Sequence, residues 1–476
     1  MKNSQIINLL KTFDTKEIKR FREFISSPYF NKNKNVIRLY EVIRKAYPDF
    51  GQEKFTKEFV FSKIFPGKKF NDNTLRLLMH YLYENAKEFI SHNRLAKERY
   101  GYNEQLVSEL FDRDLNKEST KEIEKIISDL EKQDVKDTEY FLNKFIFEYK
   151  KLYCLQKKYQ DEYEKYFTKS NIETPFRNLT NFFLIEVLTF YSVMLNTKIL
   201  YKIEIETDLL KKLTACFDFE TFYDRPIIQI YYNMVMALTN EDEKYFYNIK
   251  DLVLKYEKDI APLRQFDIYI NLENYCRRKI RAGNKQFRRE FFEILKLDLD
   301  KEIYKVEPFM SQNFYKNILQ NAAELKEFEW ADEFIESYKN ELRTDYREAV
   351  YCYCKAYLEA EKNNYEKSLD YLAKLKTDEV YLKIDLKLLQ ARLYYELNEY
   401  DVLVSAIDSI RHFLKDNKFI AENRRSQFSM FVRFLSALNN AQLKKEEFKI
   451  KELKENIQKA EDLQWKDWFV RKVEEL

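Results

Sequence analysis

Glycine and proline are scarce, at 4 and 7 residues in a chain of 476. Together they make up about 2% of the chain, against a typical ~12%. Tight hairpins, dinucleotide-binding turns and phosphate-cradling loops all need glycine for positive φ or close backbone approach. A many-stranded sheet would turn more often than four glycines allow, so the sequence predicts an all-α fold of helices joined by short polar corners. Cysteine is equally sparing: Cys154, Cys216, Cys276, Cys352 and Cys354 are odd in number and scattered, which fits reduced thiols in a cytoplasm. The start, MKNSQIINLLKTF, has too short an apolar run for a secretory signal. No stretch reads as the roughly 18 apolar residues that cross a bilayer. The expectation is a cytoplasmic protein with no membrane partner.

The groups that carry chemistry are also few. The chain contains no G-x-S-x-G, G-x-x-x-x-G-K-[ST], H-E-x-x-H or G-x-G-x-x-G. Of three histidines, His80 and His92 share a four-residue stripe with Glu84 and Glu88. On a helix the two imidazoles diverge by about 120° and stand about 18 Å apart. The core face of that helix reads as Leu75, Leu78, Met79, Leu82, Phe89 and Ile90, which leaves the stripe to solvent. Cys352 and Cys354 point about 200° apart on a helix and have no second pair, so they do not form a zinc knuckle. No metal, cofactor or catalytic group is expected, and the chain reads as non-enzymatic.

What is present is charge and aromatic bulk. Hydrophobic residues make up 45% and charged residues 34%, a balance that folds rather than staying disordered. The 36 Tyr, 39 Phe and 3 Trp fill wide gaps between helices. Charge is uneven: residues 1–100 hold 21 Lys/Arg against 11 Asp/Glu, a balance of +10, and the remainder holds 62 against 69, a balance of −7.

Within the basic first hundred residues a pattern occurs twice. Thr15-Lys16-Glu17 and Thr56-Lys57-Glu58 each open a helical run that ends at a proline, Pro28 or Pro66. Phe30-Asn31-Lys32-Asn33 and Phe70-Asn71-Asp72-Asn73 then lead into the next helix. Proline stops a helix because it lacks an N–H and clashes with the preceding turn, and asparagine caps the next one. Asp14 and Glu17 have capping-box spacing. Tyr29 and Phe30 are the expected inward anchors of the first corner. Lys32, Lys34, Lys68 and Lys69 form a candidate basic patch for nucleic-acid phosphates or an acidic protein. The "SPYFNKNK" and "FPGK.FND" corners resemble a group of uncharacterised Bacteroidetes-type bacterial proteins, a likeness that brings no activity with it.

Nearer the C-terminus a 35-residue period appears. Ala356, Leu358, Asn363 and Tyr365 recur as Ala391, Leu393, Asn398 and Tyr400. Weaker copies begin at Phe287 and Phe328. These residues resemble the tetratricopeptide repeat, a helix–turn–helix unit that stacks into a solenoid. Ala356 and Ala391 match its small residue between helices, and Tyr365 and Tyr400 match its aromatic opening the second helix. The pattern departs where Leu403 replaces the small residue seen at Ser368, and no copy ends in proline. The resemblance implies a concave groove lined by Tyr353, Tyr357, Asp385, Arg392 and Tyr395, with aromatics and arginine as binding hot spots. The alternative for the tyrosines is packing against the neighbouring repeat. Trp465-Lys466-Asp467-Trp468-Phe469 reads as a closing cap with both indoles on the last repeat.

The expected organisation is a basic helical module at 1–100, helical hairpins without legible register at 101–262, TPR-like repeats at 263–442 and a capping helix at 443–476. The expected function is a protein–protein interaction scaffold or adaptor. The alternative is nucleic-acid or ribosome association through residues 1–100.

Overall fold

A computed structural model of the chain describes residues 4–50, 55–201, 203–222, 225–240, 242–460 and 463–476. Among them are twenty-four α-helices and no strand; the only ladder-type contact is an isolated bridge between Met310 and Leu342. The fold is all-α. Two compact units divide it: Met1–Lys132 with Asn143–Phe176, and Gln133–Leu142 with Arg177–Leu476. The basic first hundred residues therefore lie in a unit that also takes in the helices after them.

The first unit begins with α1 (Gln5–Leu10), α2 (Thr15–Ser26), α3 (Lys34–Arg44), α4 (Lys57–Ile64) and α5 (Asp72–Lys97). Asp14 and Glu17 close a reciprocal capping box on α2, with N···O distances of 2.7 and 3.0 Å. Asn33 caps α3, Thr56 caps α4 and Asn71 caps α5, each oxygen satisfying an N–H that the helix leaves orphaned. The helices close on a core of Phe13, Phe21, Tyr40, Leu82 and Phe89, among others. The Tyr40 hydroxyl donates to the Ile18 carbonyl at 2.7 Å, which ties α3 to α2.

The corner between α2 and α3 is structural, but only one of its aromatics anchors it. Phe30 stacks on Phe24 at 4.0 Å and meets His92 edge-on at 5.0 Å. Asn31 is buried and bonds the Ile25 carbonyl at 2.9 Å. Tyr29, expected to turn inward, is instead 85% exposed, because Phe30 already fills the space beside Phe24. Ile90 likewise faces out, and Ala86 takes its expected place on the core side of α5.

Helices α6 (Arg99–Asp112), α7 (Asn116–Glu131), α8 (Thr138–Lys158), α9 (Tyr163–Lys169) and α10 (Glu173–Tyr201) follow, and the unit boundaries fall within α8 and α10. Helix α10 is long and apolar enough to cross a membrane by length and composition, and 28% of its apolar window is buried. Its Ile185 and Leu188 are buried while Phe190 and Val193 are exposed. Apolar side chains thus occur on both its buried and its exposed sides.

The second unit continues with α11 (Asp208–Ala215), α12 (Pro226–Thr239), α13 (Lys244–Lys255), α14 (Pro262–Arg281), α15 (Phe287–Asp300), α16 (Gln312–Glu324) and α17 (Phe328–Tyr338). It ends with α18 (Arg347–Glu361), α19 (Tyr365–Lys374), α20 (Val380–Glu396), α21 (Tyr400–Asp416), α22 (Glu422–Lys444), α23 (Glu447–Lys459) and α24 (Lys466–Glu474). From α12 onward the helices pair as hairpins, and first helices also pack on first helices: α12 on α14, α16 on α18, α18 on α20. The aromatics Phe287, Phe328, Tyr365 and Tyr400 each open the second helix of a hairpin.

One corner geometry joins these pairs. Gly283, Lys326, Asn363 and Asn398 are left-handed, with φ of 94°, 62°, 63° and 59°. The next N–H reaches back five residues to a carbonyl at 2.9–3.0 Å, as in Asn364 N–H to Glu359 and Glu399 N–H to Tyr394. This is the Schellman end of a helix, which satisfies otherwise orphaned carbonyls. Asn363 and Asn398 add a bond from the hydroxyl of the following tyrosine, at 2.9 and 2.6 Å.

The first unit contains the same device in a stretch without a legible register. Asp114 has φ 61°, and the Leu115 N–H bonds the Leu110 carbonyl at 2.9 Å. Five residues on, the Ser119 hydroxyl crosses to the Val107 carbonyl at 3.2 Å. Ser368 does the same to Ala356 at 2.6 Å, with the same offsets from Asn363.

Candidate interaction surfaces

Of the five residues expected to line a concave groove, four are buried inside the molecule and Asp385 is half-buried. Tyr353, Tyr357, Arg392 and Tyr395 are 0%, 1%, 4% and 6% exposed. This corrects the expectation that they form a free surface: Tyr353 packs beside Tyr357 and under Lys316 of α16, and Tyr357, Arg392 and Tyr395 are covered by α24 and the Trp465 that precedes it. The Trp465 indole N–H donates to the Tyr357 hydroxyl at 3.2 Å, and the Trp468 N–H donates to Glu396 at 2.6 Å. The Arg392 guanidinium lies 5.2 Å from the Trp465 ring and 5.4 Å from the Trp468 ring. Its charge is met by Glu361 at 2.6 Å. Tyr395 packs edge-on to Trp468, and Lys472 clamps Glu396 at 2.8 Å. Asp385, the fifth residue, accepts from Lys316 at 2.7 Å.

The indoles do sit as a cap, though across two hairpins rather than on the last repeat alone: Trp465 reaches α18 and Trp468 reaches α20. Burial pushes the Tyr357 and Tyr395 hydroxyls well above the usual phenol range, so they remain neutral hydrogen-bonding groups at any working pH.

The four lysines of the candidate basic patch are all exposed, but they stand in two pairs. Phe30, beside Lys32, touches His92 near the end of α5, whereas Lys68 and Lys69 lie just before its first residue, Asp72. Twenty residues of helix separate these points, or about 30 Å. The structure does not gather them into one patch. The His80–Glu84 stripe is solvated, as expected, with a long 3.9 Å pair. No group of three metal-ligating side chains occurs among the described residues.

The second unit also holds two hollows that sequence reading did not single out. One, of about 440 Å³, is lined by Glu329, Asp332, Glu333 and Glu336 of α17 with Phe328 and Lys362. The buried Lys355 amine sits 2.7 Å from Asp332 and 2.5 Å from Glu336 and holds both carboxyls below their usual range. The other is a groove of about 510 Å³ between α21 and α22, bordered by Arg411, Lys415, Arg425 and Arg433 over Leu414 and Val432. The periodicity of α17 contained the first signal: acidic residues at i, i+3, i+4 and i+7 form one face.

Sequence reading also passed over two acids in the interior. Glu273 and Asp298 are 5% and 2% exposed, and desolvation pushes each carboxyl up to about 7. Arg277 bonds Glu273 at 2.9 Å, and the Tyr304 N–H bonds Asp298 at 2.9 Å. Both are interior hydrogen-bonding groups of the α14–α15 hairpin.

No family model, curated protein or solved structure matches the chain.

Proposed function

We propose that this chain is a non-enzymatic scaffold or adaptor, working in the cytoplasm without a cofactor, that presents a tetratricopeptide-like array of helical hairpins to protein partners. The observation that carries this reading is the pair of hollows of opposite charge on one hairpin array. Rigid helices hold each set of charges at fixed spacing, which is how a scaffold discriminates between partners. The inner face seated on α24 is filled, so the working surfaces in this reading are the charged hollows.

The second reading is nucleic-acid or ribosome association through the first unit, and its support is the +10 balance of residues 1–100 with Lys32, Lys34, Lys68 and Lys69 exposed. Pairs about 30 Å apart would have to reach separate phosphates along an extended strand. Affinity capture on the tagged full chain, with and without nuclease and at low and moderate salt, tests the two. Protein partners that survive nuclease and moderate salt support the scaffold. Retention of nucleic acid that is lost when the four lysines are reversed to glutamate overturns it.

A further inference from the structure

The groove between α21 and α22 is open, and its border is cationic throughout. Arg411 and Lys415 stand one turn apart on α21, while Arg425 and Arg433 stand two turns apart on α22, about 12 Å. No acidic residue lines the groove. Arg411 has one carboxylate neighbour, Asp408 at 2.9 Å, but both side chains are more than half exposed, and such a pair is worth little. Arg411 is therefore free to exchange that partner for another. Arg433 holds its guanidinium 5.1 Å from the Phe434 ring, and the residue is exposed.

Arg425 differs from the rest. Its guanidinium donates to the carbonyls of Leu414, Asn417 (2.9 Å) and Ile420 (3.3 Å), closing the corner after α21. Its Nε also lies 3.8 Å from the exposed Glu422 carboxylate, a long and solvated pair, so Arg425 holds a fixed cation at the mouth of the groove. The same corner projects Phe419, which is 91% exposed. Leu414 and Val432 make the floor apolar.

We infer that this groove docks an acidic, amphipathic segment of a partner protein, with carboxylates paired to Arg411, Lys415 and Arg433 and apolar side chains on the Leu414–Val432 floor. The inference rests on the scaffold reading above and assigns a surface to it. Charge complementarity selects the occupant. Arginine matches a carboxylate with two parallel hydrogen bonds, and carboxylates one or two helical turns apart meet the spacing of these cations. A nucleic-acid backbone brings no apolar side chain to the floor, and four cations are fewer than the six to ten phosphate contacts typical of salt-sensitive binders.

The test uses the full chain and a fluorescein-labelled peptide of repeated Glu-Glu-Leu-Leu, followed by anisotropy at low and moderate salt. The same peptide with lysine for glutamate, and a labelled single-stranded DNA, serve as comparison probes. The acidic peptide should bind, and Arg411→Glu with Arg433→Glu should weaken it roughly ten-fold or more. The milder Arg411→Gln with Arg433→Gln, which leaves Arg425 and the corner intact, should weaken it less, with helicity unchanged in both. Lys32→Glu with Lys34→Glu should leave it unaltered. Binding that ignores the groove substitutions, or no binding at low salt, overturns the proposal. So does DNA binding that is equally tight and equally lost. Self-association of the chain that disappears in the same variants also overturns it, by giving the groove to a second copy. Failure of the peptide leaves partners caught by affinity capture standing, so the two readings fail separately.

Discussion

Where α24 is seated, an arginine and two tyrosines of the hairpin array, Arg392, Tyr357 and Tyr395, are buried against two indoles; between α21 and α22, three arginines and a lysine of the same array border an open groove. Arginine and aromatic residues are the types that dominate binding interfaces between proteins. Here one set of them forms an interface inside a single chain. Composition at a helix face therefore identifies a hot spot without identifying whether its partner is another protein or a distant part of the same one. The difference lies in what is already paired. Arg392 has Glu361 and two rings; Lys415 has no comparable partner among the described ion pairs.

The largest effect should come from unsealing the first face. Trp468→Ala removes a 2%-exposed indole, its bond to Glu396 and the support under Arg392. Losing a buried aromatic of this kind costs about 3–5 kcal/mol, read by chemical denaturation of the full chain. Trp465 provides an internal reporter, since its emission should shift to the red if α24 lifts. A cost below about 1 kcal/mol would mean that α24 rests loosely and that the inner face is open to partners after all.

Next in size is the effect of burial without a counter-charge, where Arg392 has a useful opposite in Asp298. Its carboxyl is pushed up to about 7 by desolvation, opposed by the Tyr304 N–H. Glu273, also raised to about 7, is near enough to feel it. The unfolded aspartate loses its proton near pH 4, so between about pH 4 and pH 7 the folded state holds the proton that the unfolded state has released. Stability should then fall as pH rises through that window and level off above it. Asp298→Asn keeps an acceptor for Tyr304 and should flatten the slope, a change on the order of 2 kcal/mol between pH 5 and 8. An unchanged slope in thermal or urea melts would place the charged form comfortably in the interior.

A smaller effect belongs to the corners that aim both faces. Asn398 is left-handed and accepts from the Tyr400 hydroxyl at 2.6 Å. Asn398→Ala keeps the strained φ and loses the bond, which costs about 1–2 kcal/mol. Asn398→Gly relieves the backbone and should recover more than half of that loss. Equal costs for alanine and glycine would assign the whole effect to the hydrogen bond.

How much of this was legible varies with sequence distance. The helix starts at Phe287, Phe328, Tyr365 and Tyr400 were readable because each depends on a corner two to four residues away. The caps Asp14, Asn33 and Asn71 were readable for the same reason. The hairpin of α6 and α7 was missed although Asp114 and Ser119 hold the offsets of Asn363 and Ser368, because Asp114 replaces asparagine and no tyrosine follows. The cap was legible but not what it covers: Trp465 meets Tyr357 across 108 positions, and Trp468 meets Glu396 across 72. Nothing local in α18 or α20 records that they will be covered. The separation of the lysine pairs was hidden for the opposite reason, since sequence similarity between two corners carries no information about the length of helix between them.

The smallest predicted effect is the one that tests the contrast most directly. Arg411 and Arg433 border the groove, are exposed, and have between them one carboxylate neighbour in a solvated pair. A surface ion pair of that kind contributes between nothing and about 1 kcal/mol. Arg411→Gln with Arg433→Gln should therefore move stability by no more than about 0.5 kcal/mol in urea denaturation. Stability and binding come apart here: the face that α24 covers should cost several kcal/mol to disturb because its charges and rings are already partnered, whereas the open groove should lose little because Arg411 and Arg433 have few partners within the chain. A loss above about 1.5 kcal/mol would mean that these arginines hold α21 and α22 together. The groove would then be a structural seam, and the two faces would differ only in exposure.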